Sequence, residues 1–201
     1  MKEQKKVEFI FKQNPELSNI GTMEQYLQYL KTIFPKSSTH SIFFHGGRKG
    51  IETFVAPADK DNFIKNKGVG SATKDYGIYF TADRSLAEGY TRGHPRGDRQ
   101  IYPVVLDMKN PYKTNVWFAL RLRKALGNKN LLNPQSITNE DFQKFISSKG
   151  FDSILWCGEK GEAIVFDPKQ VHILGSDKDL KGFRQWIDRQ KCLSNFKVNT
   201  I

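Results

Sequence analysis

The chain has 201 residues, enough for one ordinary domain that removes roughly 70% of its unfolded surface from water. A hydrophobic content of 38%, with 15 Phe, 7 Tyr and 3 Trp, supplies a packed core and excludes a wholly disordered chain. Lys and Arg number 32 against 21 Asp and Glu; the net charge of +11 favours polyanionic partners such as nucleic acid, acidic lipid or an acidic protein face. That charge is spread along the chain without a recognised nucleic-acid-binding motif, so it equally suits a solvated surface.

Two cysteines, Cys157 and Cys192, form no Cys-x-x-Cys pair and have no clustered histidine, which argues against a disulfide framework or a structural zinc site and predicts free thiols. The first residues contain no apolar stretch long enough for a signal peptide, and no run of about 18 apolar residues suggests a membrane span. The expectation is a cytoplasmic protein without membrane contact. Secretion without a cleaved leader would leave no mark and stays open.

No internal repeat, low-complexity run or Pro/Gly/Ser linker divides the sequence. Residues 22–34 predict a helix, with Met23, Tyr26, Leu27, Leu30 and Phe34 at helical spacing and Pro35 as its stop. Residues 41–45 are an apolar run ending at Gly46-Gly47, a strand entering a tight turn. Residues 55–76 turn to Lys, Asp, Asn and Gly with little periodicity and read as a long surface loop, a feature that is commonly functional in compact domains.

Gly77-Ile78-Tyr79-Phe80 is a second short strand, and Asp83 is placed to cap a helix through Thr91 that sets Leu86, Ala87 and Tyr90 on one face. Residues 101–108 are a third strand, and residues 116–126 look helical and strongly basic. Thr138, with Asp141 three residues on, caps a helix that ends at Gly150. Residues 151–156 and 163–166 are apolar strands whose polar connection suits a hairpin; 171–174 is another strand candidate and 177–191 a closing helix. Short strands interrupted irregularly by helices indicate an α+β fold rather than a doubly wound parallel sheet.

Three segments carry the chemistry in combination: Phe44-His45-Gly46-Gly47, then Gly77-Ile78-Tyr79-Phe80-Thr81 continuing to Tyr90, then Gly161-Glu162-Ala163-Ile164-Val165-Phe166-Asp167. Each alone is ordinary. A histidine ending a strand, a tyrosine within one and a glutamate before one are common features of cores and turns.

Their joint occurrence in this order resembles the H-Y-E branch of the ADP-ribosyltransferase superfamily, which includes diphtheria toxin and the poly(ADP-ribose) polymerases. That branch has a His-Gly pair ending a strand, then Gly-Ile-Tyr-Phe followed by a helix with a second tyrosine eleven residues on, matched here by Tyr79 and Tyr90. It then has a glutamate opening an apolar strand, matched by Glu162 through Asp167 and on to Gln170-Val171. The resemblance spans about residues 41–174. Arg99 through Val104, Lys109-Asn110-Pro111 and Gly150 through Ile154 are similar to the ADP-ribosyltransferase domains of phage polyvalent proteins and bacterial toxins, and residues 14–35 are similar to the helix that often leads into them.

The resemblance implies a split β-sandwich of two small antiparallel sheets with peripheral helices and NAD in the cleft between them. It implies a helical extension at residues 1–40 packed on a catalytic domain at 41–176, with a helix and tail at 177–201. Glu162 would bond the 2′-hydroxyl of the nicotinamide ribose, His45 the adenosine ribose and Gly46 the carboxamide through its backbone, while Tyr79 and Tyr90 sandwich the nicotinamide ring. His45, Tyr79 and Glu162 are thus the catalytic set, with His45, Gly46, Tyr79 and Tyr90 binding NAD and no metal required. The residue types suit the reaction: breaking the nicotinamide–ribose bond builds positive charge on the ribose, which a fixed carboxylate stabilises mainly in the transition state.

The sequence departs from the pattern at Ala87, where many relatives have a serine that bonds the carboxamide, and at Lys160, where arginine- or guanine-modifying toxins have Glu or Gln. The second departure leaves the acceptor open. Charge and the tracts Arg92 to Arg99 and Arg121 to Lys124 lean the expectation toward RNA or other nucleic acid, with Trp117 or Trp156 stacking a base. A protein acceptor, an NAD glycohydrolase and a non-catalytic NAD- or nucleic-acid-binding module are the alternatives, and a bacterial or phage-related toxin with an antitoxin is the expected setting. Gly68 to Thr73 lacks the third glycine of a dinucleotide-binding turn, no Gly-x-Ser-x-Gly elbow occurs, and an Arg- and His-rich RNA 2′-phosphotransferase site is absent from the motif set.

Overall fold

The structure, a computed structural model, describes residues 2–54, 77–114, 139–156 and 161–198. Three helices open the chain: α1 (Lys2–Gln13), α2 (Glu16–Ile20) and α3 (Met23–Ile33). In α1, Glu3 in the first turn and Lys12 in the last complement the helix dipole, and Val7 and Ile10 are fully buried. α3 begins with a reciprocal cap: Thr22 Oγ1 accepts from the Gln25 N–H at 3.2 Å and Gln25 Oε1 accepts from the Thr22 N–H at 2.8 Å.

The sheet is built from β1 (Phe43–Arg48), β2 (Ile78–Thr81), β3 (Arg99–Leu106), β4 (Pro111–Thr114), β5 (Ser153–Trp156), β6 (Glu162–Val165) and β7 (Val171–Ile173). Helix α4 (Arg84–Tyr90) follows β2, α5 (Asn139–Ser148) lies between β4 and β5, and α6 (Asp177–Val198) follows β7. The strand order is β4-β5-β6-β2-β1-β3-β7. β1 runs alongside β3 for its whole length, from Phe43↔Val104 to Arg48↔Arg99, but meets β2 at a single register pair, Phe44↔Thr81.

The α+β class expected from the sequence is what forms. In place of two separate antiparallel sheets the strands form one mixed seven-stranded sheet, in which β4-β5-β6-β2 and β1-β3-β7 are continuous through that one pair and β4 and β5 are parallel. A parallel pair needs a crossover, and the connection containing α5 provides it. The hairpin of β5 and β6 is antiparallel as expected. The stretches 55–76 and 116–126, the cap at Thr138 and Trp117 lie outside the described residues.

Alternation along β1 divides the core. Phe44 joins Val7, Leu17, Tyr26, Val105 and Phe183 beneath α1, α3 and α6, while Phe43 joins Phe54, Phe80, Tyr102 and Leu106 on the opposite side. A third cluster, Ile146, Ile154 and Ile164, seats α5 on β5 and β6.

Candidate active site

Where β1 and β2 part beyond Phe44↔Thr81, His45 spans the gap. Its Nδ1 lies 2.8 Å from the carbonyl oxygen of Tyr79, and since a carbonyl only accepts, Nδ1 carries the proton and Nε2 presents a lone pair. The ring is buried, edge-on to Phe54 at 4.9 Å and tilted against Phe80 at 5.6 Å. Burial holds its pKa below the usual 6.5, the Tyr79 carbonyl opposes that shift and nearby His94 adds to it, so the imidazole is neutral. A Cβ on Gly47 would sit 3.3 Å from His45 Nε2, so the glycine keeps that side of the ring uncrowded.

Gly46 has a different reason to be glycine. A Cβ there would lie 1.9 Å from the carbonyl oxygen of Ala87, so α4 packs directly on the β1 backbone. Asp83 caps that helix as expected, its Oδ1 accepting from the Ser85 N–H at 2.8 Å. The single inward face expected for Leu86, Ala87 and Tyr90 divides: Ala87 is fully buried against β1, whereas Leu86 and Tyr90 are 42% and 56% exposed.

The outward course of Tyr90 takes its hydroxyl to Glu162, where it donates to Oε1 at 2.9 Å. Burial, then the bond to Glu162 and that carboxylate's charge, push the Tyr90 hydroxyl up to about 12, so it remains a donor at neutral pH. Glu162 opens β6 and is held in register on both sides, opposite Thr81 of β2 and Trp156 of β5. The Trp156 indole Nε1 is buried and has no hydrogen-bond partner among the described residues.

The predicted residues therefore come together as two linked pairs. His45 reaches Tyr79 through the latter's backbone, Tyr90 reaches Glu162 side chain to side chain, and the β2–β6 ladder, with Tyr79↔Ile164 and Thr81↔Glu162, joins the pairs. The Tyr79 ring packs against the third core cluster. Sequence reasoning missed the Tyr90–Glu162 bond, which closes over 72 residues and has no local signature.

In the basic tract after Tyr90, Arg99 is committed to architecture: its Nε donates to the His94 carbonyl at 2.8 Å and its Nη2 to that of Arg92 at 3.1 Å. Arg92 and Arg96 are exposed. A cavity of about 1120 Å³ runs along the outer side of β3, bordered by Phe54, Arg92, Tyr102 and His172, and none of His45, Tyr79, Tyr90 or Glu162 lines it. Among the described residues no group of three His, Cys, Asp or Glu side chains is placed to hold a metal ion, and no helix is long and apolar enough to cross a membrane.

A family model for ADP-ribosyltransferases in polyvalent proteins matches residues 38–178. The chain belongs to this family. It is an NAD-dependent ADP-ribosyltransferase, an enzyme that takes NAD as co-substrate and passes ADP-ribose to an acceptor. The matched stretch holds all seven strands together with α4 and α5. No curated protein and no solved structure matches the chain.

Proposed function

We propose that this transferase uses an H-Y-E site in which His45, Gly46, Tyr79 and Tyr90 hold NAD and Glu162 promotes cleavage of the nicotinamide–ribose bond. The observation that carries the reading is the meeting of Tyr90 and Glu162, 72 residues apart, with Glu162 in register opposite Thr81, the β2 residue at which β1 and β2 part beside His45. Departure of nicotinamide takes the bonding electron pair and leaves positive charge on the ribose, which the Glu162 carboxylate stabilises. The His45 Nε2 lone pair suits a donated ribose hydroxyl. Residues 41–176 form the catalytic unit, with 1–40 as an extension and 177–201 as a closing helix and tail.

The acceptor is RNA, modified with a single ADP-ribose, in the setting of a bacterial or phage-related toxin acting in the cytoplasm under an antitoxin. Support comes from the net charge of +11 and from exposed Arg92 and Arg96 directly after the helix that bears Tyr90. The exposure of Tyr90 beside Glu162 also favours a second reading, NAD glycohydrolase, because water reaches the same carboxylate.

The test is mass spectrometry of single-stranded RNA, DNA and protein mixtures after incubation with NAD. Labelled RNA is the expected product, and its yield should fall steeply between about 50 and 200 mM salt as phosphate contacts are screened, while NAD hydrolysis without acceptor changes little. Neutralising Arg92 and Arg96, with Arg99 spared as a backbone staple, should flatten that slope. Strong protein labelling with unlabelled nucleic acid would falsify the RNA assignment.

A further inference from the structure

We propose that Tyr90 acts through its hydroxyl as well as its ring: the O–H holds the Glu162 carboxylate in the orientation the reaction needs, which makes Tyr90 a positioning residue. The inference rests on the assignment of Glu162 above and adds a role that stacking against nicotinamide does not require.

The Glu162 backbone is fixed by β2 on one side and β5 on the other, but its side chain has three rotatable bonds and only a partly buried setting. Among the described residues, the Tyr90 hydroxyl at 2.9 Å is the hydrogen-bond partner that selects one rotamer. That hydroxyl comes from a rigid support, since α4 is capped by Asp83 and pressed against Gly46 with no room for a Cβ. The bond engages Oε1 and, among the described residues, leaves Oε2 with acceptor capacity for a ribose hydroxyl. Tyr90 thus orders the carboxylate before substrate arrives, the form of preorganisation that lowers a barrier without tightening binding.

Replacing Tyr90 with Phe keeps the ring and deletes the donor. Tyr90→Phe should leave the KM for NAD within about twofold and lower kcat about tenfold, whereas Tyr90→Ala should raise KM as well. Because the hydroxyl works through Glu162, Tyr90→Phe should lower kcat by less than about twofold in a Glu162→Gln background, a coupling that an independent structural role would not produce. Wild-type kcat in Tyr90→Phe, or the same tenfold loss in both backgrounds, overturns the positioning role. Wild-type turnover in Glu162→Gln instead overturns the site assignment beneath it.

Discussion

Tyr26 and Tyr90 each donate a hydroxyl hydrogen bond to a carboxylate, Asp179 in one case and Glu162 in the other. Asp179 is fully buried in α6 and bonded through both oxygens: it accepts from Tyr26 of α3 and, at 2.8 Å, from the Gly175 N–H, and it meets His172 Nε2 of β7 at 2.7 Å. Burial and the adjacent carboxylate raise the Tyr26 hydroxyl well above the usual tyrosine range. Glu162 opens β6 half-buried and, among the described residues, has one oxygen engaged. A carboxylate engaged through both oxygens by α3, β7 and the turn before α6 ties the fold together, whereas one held by a single exposed donor retains capacity for a ligand.

The sharpest test is to remove each carboxylate and see what fails. Asp179→Ala strands the Tyr26 hydroxyl, the Gly175 N–H and the His172 ring in the interior and should cost about 3 to 5 kcal/mol of stability, measured by urea unfolding. Glu162→Gln should leave the unfolding midpoint and NAD affinity unchanged while lowering turnover by roughly 10² to 10³, equivalent to about 2.7 to 4 kcal/mol at the transition state, as read by nicotinamide release and calorimetric NAD binding. If Asp179→Ala unfolds at the wild-type midpoint, or Glu162→Gln loses stability in its place, the division between architecture and chemistry is wrong.

Gly46→Ala probes the contact that connects the two. Its methyl would collide with the Ala87 carbonyl, so α4 must shift and carry Tyr90 with it. Overpacking of this kind typically costs about 1 to 3 kcal/mol, and kcat should fall along with the unfolding midpoint. Loss of NAD binding at unchanged stability would show instead that Gly46 is glycine for the ligand's sake.

The smallest effect concerns pH. Because burial keeps the folded His45 pKa below 6.5, the unfolded chain takes up a proton there first as pH falls. The contribution of His45 to stability is therefore fully present above about pH 6.5 and lost as pH falls through the folded pKa. His45→Asn should show a shallower loss of stability than wild type between pH 7.5 and 5.5. Parallel curves for the two proteins would place the acid sensitivity elsewhere.

The parts of this fold governed by nearest neighbours were legible in the sequence. Pro35 and the spacing of Tyr26, Leu27 and Leu30 mark α3, Asp83 marks the start of α4, and the apolar runs mark β1, β2, β3, β5 and β6. Helix α1 falls within the helical extension expected at 1–40 but had no bounds of its own, because among its many lysines Val7 and Ile10 are buried with partners that include the distant Phe44. The parallel strand β4 escaped notice for the same reason: Pro111–Thr114 becomes a strand through Ser153–Trp156, supplied after α5. At the candidate site, the motifs pointed to His45, Gly46, Tyr79, Tyr90 and Glu162, but not to the packing reason for Gly46: the Ala87 carbonyl occupies the place its side chain would take. The outward course of Tyr90 and the bonding of both Asp179 oxygens depend on three-dimensional neighbours that helical periodicity does not encode.

The lone pair Phe44↔Thr81 has a mechanical meaning. A sheet is as stiff as its least-bonded seam, and here the seam runs beside His45 while the β1–β3 ladder stays paired along all of β1. Bending concentrated there can widen or narrow the space between the two halves while each keeps its own hydrogen bonds. Local opening of this kind draws on the low-stability end of a protein's fluctuations, so amide exchange should be faster along β2 facing β1 than between β1 and β3. On the proposed assignment of the site, the residues that grip NAD border the line along which the sheet gives most easily.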